Sequence, residues 1–127
     1  MTIAILQYGL VPLLADLNAT HATNPKWSPH ARFHVVTQVL TGAAIAGLAL
    51  YLLWSPGIDR ATGACLAATL SGCVLGAFFA SAALRAFFGG ALSDADGGMA
   101  KVRHIDLNLV NFSVAAVLLV AGRWLLL

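Results

Sequence analysis

An all-α integral membrane four-helix bundle is the fold class this sequence predicts, and three observations predict it. Hydrophobic residues fill 60% of the 127 positions, where ordinary soluble domains carry about 45–50%. Charged residues fill only 9%, as seven Lys or Arg and five Asp with no Glu, against about 25% in such domains. The apolar residues also gather into four long stretches. That is the arrangement of a chain crossing about 30 Å of hydrocarbon with helices of roughly 20 residues. A disordered chain is excluded by the apolar content, and a soluble globule by the lack of charge to solvate its surface. A net charge of +2 without a basic run gives no footprint for nucleic acid. The length suits one domain.

The spans read as about 2–22, 29–54, 62–88 and 99–126. The first is apolar from Thr2 to Leu17 and needs the residues to Ala22 for full length; Pro12 inside it removes a backbone bond. It has no basic leader and no cleavage pattern, so it reads as a retained span rather than a signal peptide. Ser28-Pro29 opens the second span with an N-cap and a first-turn proline, and Ser55-Pro56-Gly57 closes it. The third carries Ala68, Gly72, Gly76 and Ala80 at four-residue spacing, and the second carries Ala43 and Gly47. Small residues in such a row let helices approach closely, here within the bundle or in a homodimer through Gly72 and Gly76. The fourth follows the Asp94-Ala95-Asp96-Gly97-Gly98 turn. Cys65 and Cys73 lie about 12 Å apart along one helix, too far for a disulfide, and read as small apolar fillers.

Lys26, Arg32, Arg85, Lys101 and Arg103 flank the loops after spans one and three, while Arg60 and Arg123 flank the other side. The positive-inside rule then describes a multi-pass protein of the inner (cell) membrane, with loops 1 and 3 cytoplasmic and both termini outside. Trp27 and Trp124 fit interface anchors, one on each side.

Polar chemistry is distributed unevenly. His21, His30, His34 and His104 fall on one membrane side, with Asp16, Asn18, Asn24, Arg85, Asp106, Asn108 and Asn111. The other half holds Gln7 and a few hydroxyls. Polar groups are costly in lipid and gather where a bundle interior or wet cavity receives them. His30, His34, Thr37, Gln38 and Thr41 share one stripe of the second span; His104, Asn108 and Asn111 share one of the fourth; Asp16 and Thr20 share one of the first. Three stripes at similar depth predict a pocket opening towards the cytoplasm.

That pocket suits acid/base chemistry on a lipophilic small molecule: isomerisation, cyclisation or hydrolysis. His34 would act as base or acid, Asp16 would orient it or exchange its proton, and His104 would serve the far side. His30, Gln38, Asn108, Asn111 and Arg85 would bind substrate, and membrane lipids would surround the protein. A plainer reading stands beside each role. His30 suits an interfacial histidine, Arg85 a snorkelling arginine, Asp16 a clamp to Arg85 or His34, and Asp106 a salt bridge to Arg103. No cofactor is needed for this lead. A second class is an oxidoreductase in which His30, His34 and His104 hold iron, zinc or haem. A third is transport or binding of a small molecule or ion, against which stands the nearly bare half of the bilayer.

The run Asn18-Ala19-Thr20-His21, followed by Trp27-Ser28-Pro29-His30-Ala31-Arg32-Phe33-His34, resembles the signature of small four-span bacterial membrane proteins with no assigned activity. In architecture the chain is also similar to sterol-isomerase-like and DoxX-like membrane families. None of their catalytic motifs is present, so the resemblance implies the architecture and no residue roles.

Overall fold

The computed structural model describes residues 1–93, 101–102 and 105–126. It contains four α-helices: α1 (Thr2–Asp16), α2 (Pro29–Trp54), α3 (Arg60–Leu84) and α4 (Leu107–Trp124). A 3-10 turn at Arg85–Phe88 extends α3, and Lys101–Val102 pairs antiparallel with Ile105–Asp106 ahead of α4. By length and composition α2, the continuous Arg60–Phe88 segment and α4 can each cross a membrane; α1 is shorter.

Helices α2, α3 and α4 each begin where a side chain satisfies a free N–H group, whereas α1 starts at Met1 with no side-chain cap. Ser28 Oγ accepts from the Ala31 amide, with Pro29 in the first turn. Asp59 Oδ2 accepts from the amide and hydroxyl of Thr62, both at 2.9 Å. Asp106 Oδ1 accepts from the Asn108 amide at 2.8 Å. Asp106 therefore caps α4; its expected partner Arg103 lies outside the described residues. The Asp94–Gly98 turn and His104 lie outside them too. α4 starts later than residue 99 because its cap is Asp106.

The first span ends earlier than expected, and Asn18 is the reason. Its Nδ2 donates to the Leu14 and Ala15 carbonyls, while its Oδ1 accepts from the Thr20 amide and hydroxyl. A short amide chain that bonds its own backbone competes with helix continuation. Residues 17–23 consequently form turns rather than further helix.

Successive helices run antiparallel. Trp54 Nε1 donates to Thr2 Oγ1, and a Cβ on Gly9 would lie 2.5 Å from Ala46 Cβ. Gly63 packs on the Leu52 carbonyl and Gly122 on Met1. Helix α1 thus lies between α2 and α4, and α3 completes the square. The α1–α3 diagonal is slight, and α2 and α4 share no appreciable contact among the described residues.

The core lies towards the end that holds both the chain start and the α2–α3 loop. Ala4, Ile5, Tyr8, Ala49, Ala67, Ala115 and Leu119 fill it. Small side chains there bring the helices close and maximise dispersion contact. On α3 the packed face is Gly63, Ala64, Ala67, Ser71 and Leu75. Gly72 and Gly76 are exposed, and a Cβ on either would meet nothing within 4 Å; Gly47 is equally open. The bundle therefore does not use the small-residue rows singled out in the sequence. It uses the neighbouring row, where alanines and one serine sit beside the alanines of α2 and the α1 core.

Candidate functional site

Above that packed end, the four helices part around a cavity of about 590 Å³. Its base is built first. Ser71 Oγ donates to the Ala67 carbonyl at 2.7 Å, leaving its lone pairs free to accept from the buried Tyr8 hydroxyl at 3.1 Å. Tyr8 lines the cavity, and Pro12 does so one turn further along α1. A proline there withdraws the amide that would bond the Tyr8 carbonyl.

Helix α2 supplies Gln38, Val39, Thr41, Gly42 and Ile45 to the wall. From α3 come Cys73, Val74, Ala77, Phe78 and Ser81, joined by Phe88 and by Phe112 of α4. The Phe78 and Phe112 rings stack with centroids 3.9 Å apart and planes 9° apart. A smaller recess of about 210 Å³ shares Phe78, Ser81 and Phe88 and adds Arg85, Ala91 and Leu92.

The residues singled out in the sequence divide into separate groups. Gln38 is in the cavity wall. His30 and His34 stand next on the same stripe of α2, His34 one turn before Gln38, with their Nε2 atoms 3.0 Å apart and rings edge to face. One ring donates and the other accepts, so a single proton lies between two nitrogens. Both rings are exposed, and neither is in the cavity lining. Arg85 borders the smaller recess and donates to the Ala82 carbonyl. Asn108 Nδ2 reaches the Leu92 carbonyl at 3.4 Å, beside that recess.

Asp16 has a different partner from those expected. Its Oδ1 lies 3.7 Å from His21 Nδ1, and among the described residues it makes no ion pair with His34 or Arg85. His21 Nδ1 also contacts Thr20 Oγ1 at 2.8 Å, and its ring meets Trp27 edge-on. The turn imposed by Asn18 swings His21 back over the end of α1, which helical phase alone could not foresee. Asn111 is occupied by Gln7, whose Nε2 donates to both its backbone oxygen and its Oδ1 at 2.9 Å. Gln7 thereby stands at the depth of Asn111 and is not an isolated polar group. Among the described residues, no group of three or more His, Cys, Asp or Glu is placed to hold a metal ion. His104, the third ligand of the metal reading, lies outside those residues.

The sequence also concealed most of the wall. Extending the His34–Gln38–Thr41 stripe by one turn would have reached Gly42 and Ile45. Nothing local signals that Phe78 and Phe112 stack, because the pair forms between two helices.

A chain with this helix order and this half-open interior matches one family along residues 1–119. It belongs to DUF6640, described as a family of unknown function. The membership is consistent with the uncharacterised family expected from the sequence, without bearing on the signature itself or on a bacterial source. Comparison with curated proteins gives no match, and neither does comparison with solved structures.

Proposed function

We propose that this DUF6640 protein is a multi-pass inner-membrane protein that binds a lipophilic small molecule in the half-depth cavity and performs acid/base chemistry on it. The observation that carries this reading is the cavity itself. A volume of about 590 Å³ falls within the range that holds small ligands, about 300–1,000 Å³. Its walls are largely apolar, with Gln38, Thr41, Tyr8 and Ser81 as the polar exceptions. Such a lining suits a hydrophobic body with one or two polar atoms.

The catalytic proton belongs to His34. It stands one turn outside Gln38 on the same stripe, and its shared hydrogen with His30 couples two nitrogens that can exchange donor and acceptor roles. A ligand whose polar end rises past Gln38 meets that pair at the mouth. Asp16, being paired to His21, serves here as a fastener for the first loop instead of a catalytic partner. The same positive-inside reasoning directs the mouth to the cytoplasm and both termini outside.

The test is a comparison of ligands retained through purification from native membranes, identified by mass spectrometry. The wild type and His34→Ala should retain related molecules, with the unconverted one accumulating in His34→Ala. Identical retained molecules in identical ratio would remove the acid/base role. Retention of nothing but bulk phospholipid by both would remove the binding site.

A further inference from the structure

Gly42 presents a cost without a structural return. A glycine inside a helix is less favourable than alanine by about 1 kcal/mol, and helices keep one where a neighbour or the backbone demands it. Neither applies at Gly42. A Cβ there would meet nothing within 4 Å, and the one glycine of positive φ among the described residues is Gly89. Gly47, Gly72 and Gly76 are similarly open, but Gly42 alone of these four lines the cavity. Its missing methyl leaves a flat strip of backbone on the α2 wall.

The α3–α4 wall offers flatness as well. The Phe78–Phe112 stack joins two helices, and both rings line the same space. Aromatic faces reward ligand rings that lie offset or edge-on against them. The third feature is polar. Gln38 and Thr41 flank Gly42 on the α2 stripe, and neither side chain has a hydrogen-bond partner among the described residues. Both residues are exposed along the cavity wall, so the amide and the hydroxyl are free to bond an oxygen that a ligand brings to them.

We propose that the cavity selects a planar ring bearing a carbonyl or hydroxyl, seated between the Gly42 backbone and the Phe78–Phe112 stack with its oxygen towards Gln38 and Thr41. This narrows the lipophilic-ligand reading above and rests on it.

Cys73 supplies the reporter, since it is a free thiol in the cavity wall, while Cys65 on the same helix is free and outside the lining. Full-length protein in nanodiscs is labelled with N-ethylmaleimide, and the rate at each cysteine is read by mass spectrometry. Two probes of equal carbon count are compared: 2-acetylnaphthalene, a planar aryl ketone, and 2-dodecanone, a flexible one. The expected result is that acetylnaphthalene slows labelling of Cys73 but not Cys65, and that dodecanone needs several-fold more, up to about tenfold, for equal protection. Gly42→Leu should abolish protection by acetylnaphthalene while leaving Cys65 labelling unchanged. Gln38→Leu should weaken protection by acetylnaphthalene without disturbing the glycine seat, and it decides the matter if Gly42→Leu does not fold. Equal or better protection by dodecanone, or acetylnaphthalene protection unaffected by either substitution, would overturn the ring proposal while leaving the lipophilic site standing. Protection of Cys73 by neither ketone would overturn both.

Discussion

Tyr8 shows how one side chain can serve the core and the site together. Its ring belongs to the packed end, and its hydroxyl bonds Ser71 beneath the cavity. The two partners are not equivalent. Ser71 retains its bond to the Ala67 carbonyl when the phenol is removed, whereas Tyr8 keeps no alternative acceptor when Ser71 is removed. Ser71→Ala should therefore lower unfolding free energy by about 1–2 kcal/mol, the cost of a buried polar group left unpaired. Tyr8→Phe should cost nearer 0.6 kcal/mol, the usual worth of an interhelical bond in membranes. Equilibrium unfolding in mixed micelles measures both, and a larger loss in Tyr8→Phe would contradict this assignment of donor and acceptor.

At the scale of the element, caps and close approaches determine where helices start and how tightly they pack. The Thr62 amide and hydroxyl bonded to Asp59 hold its carboxyl below the usual carboxylate range. In the unfolded chain the same carboxyl returns to the ordinary value. The cap's contribution is then complete above that ordinary value, about pH 4, and is lost as pH falls through the lower folded one. Thermal unfolding in detergent should show a falling midpoint on that acid limb. Asp59→Asn, which caps without titrating, should flatten it. Glycines on α3 give opposite results by position. Gly63→Ala drives a methyl into the Leu52 carbonyl and should destabilise by about 1–3 kcal/mol. Gly72→Ala enters open space and should stabilise the monomer by up to about 1 kcal/mol. Thermal midpoints of the two variants at one detergent concentration provide the comparison.

Across the whole molecule, the sequence displayed what depends on composition and local rules. The four helices, the Ser28-Pro29 start and the separation of the two cysteines were all legible from residue type and spacing. The site was legible only in part. His30 and His34 pair because they sit one turn apart on a single helix, which phase predicts. Asp16 meets His21 because Asn18 breaks the helix, and Asn111 meets Gln7 because α1 packs on α4. Those outcomes depend on turn chemistry and on which helices become neighbours, and a helical wheel contains neither. The row of small residues on α3 likewise could not reveal that the adjacent row would face the bundle. At this scale the acid/base proposal predicts a separation of binding from conversion. His34→Ala should retain ligand in the cavity while turnover falls by about two to four orders of magnitude, as befits loss of a general acid or base. Mass spectrometry of bound and released molecules gives both quantities.

The lack of appreciable contact between α2 and α4 among the described residues has a mechanical consequence. A bundle that is solid at one end and hollow at the other is expected to yield at its hollow end first, as tongs do. In the proposed bilayer placement, lateral pressure from the lipids of one leaflet would act on the hollow end and alter its width, while the opposite leaflet would press on closely packed alanines. On that proposal, bilayer curvature and acyl-chain length would set how readily a molecule slips in from the side, and the host lipid would become a control on occupancy without touching any residue of the wall.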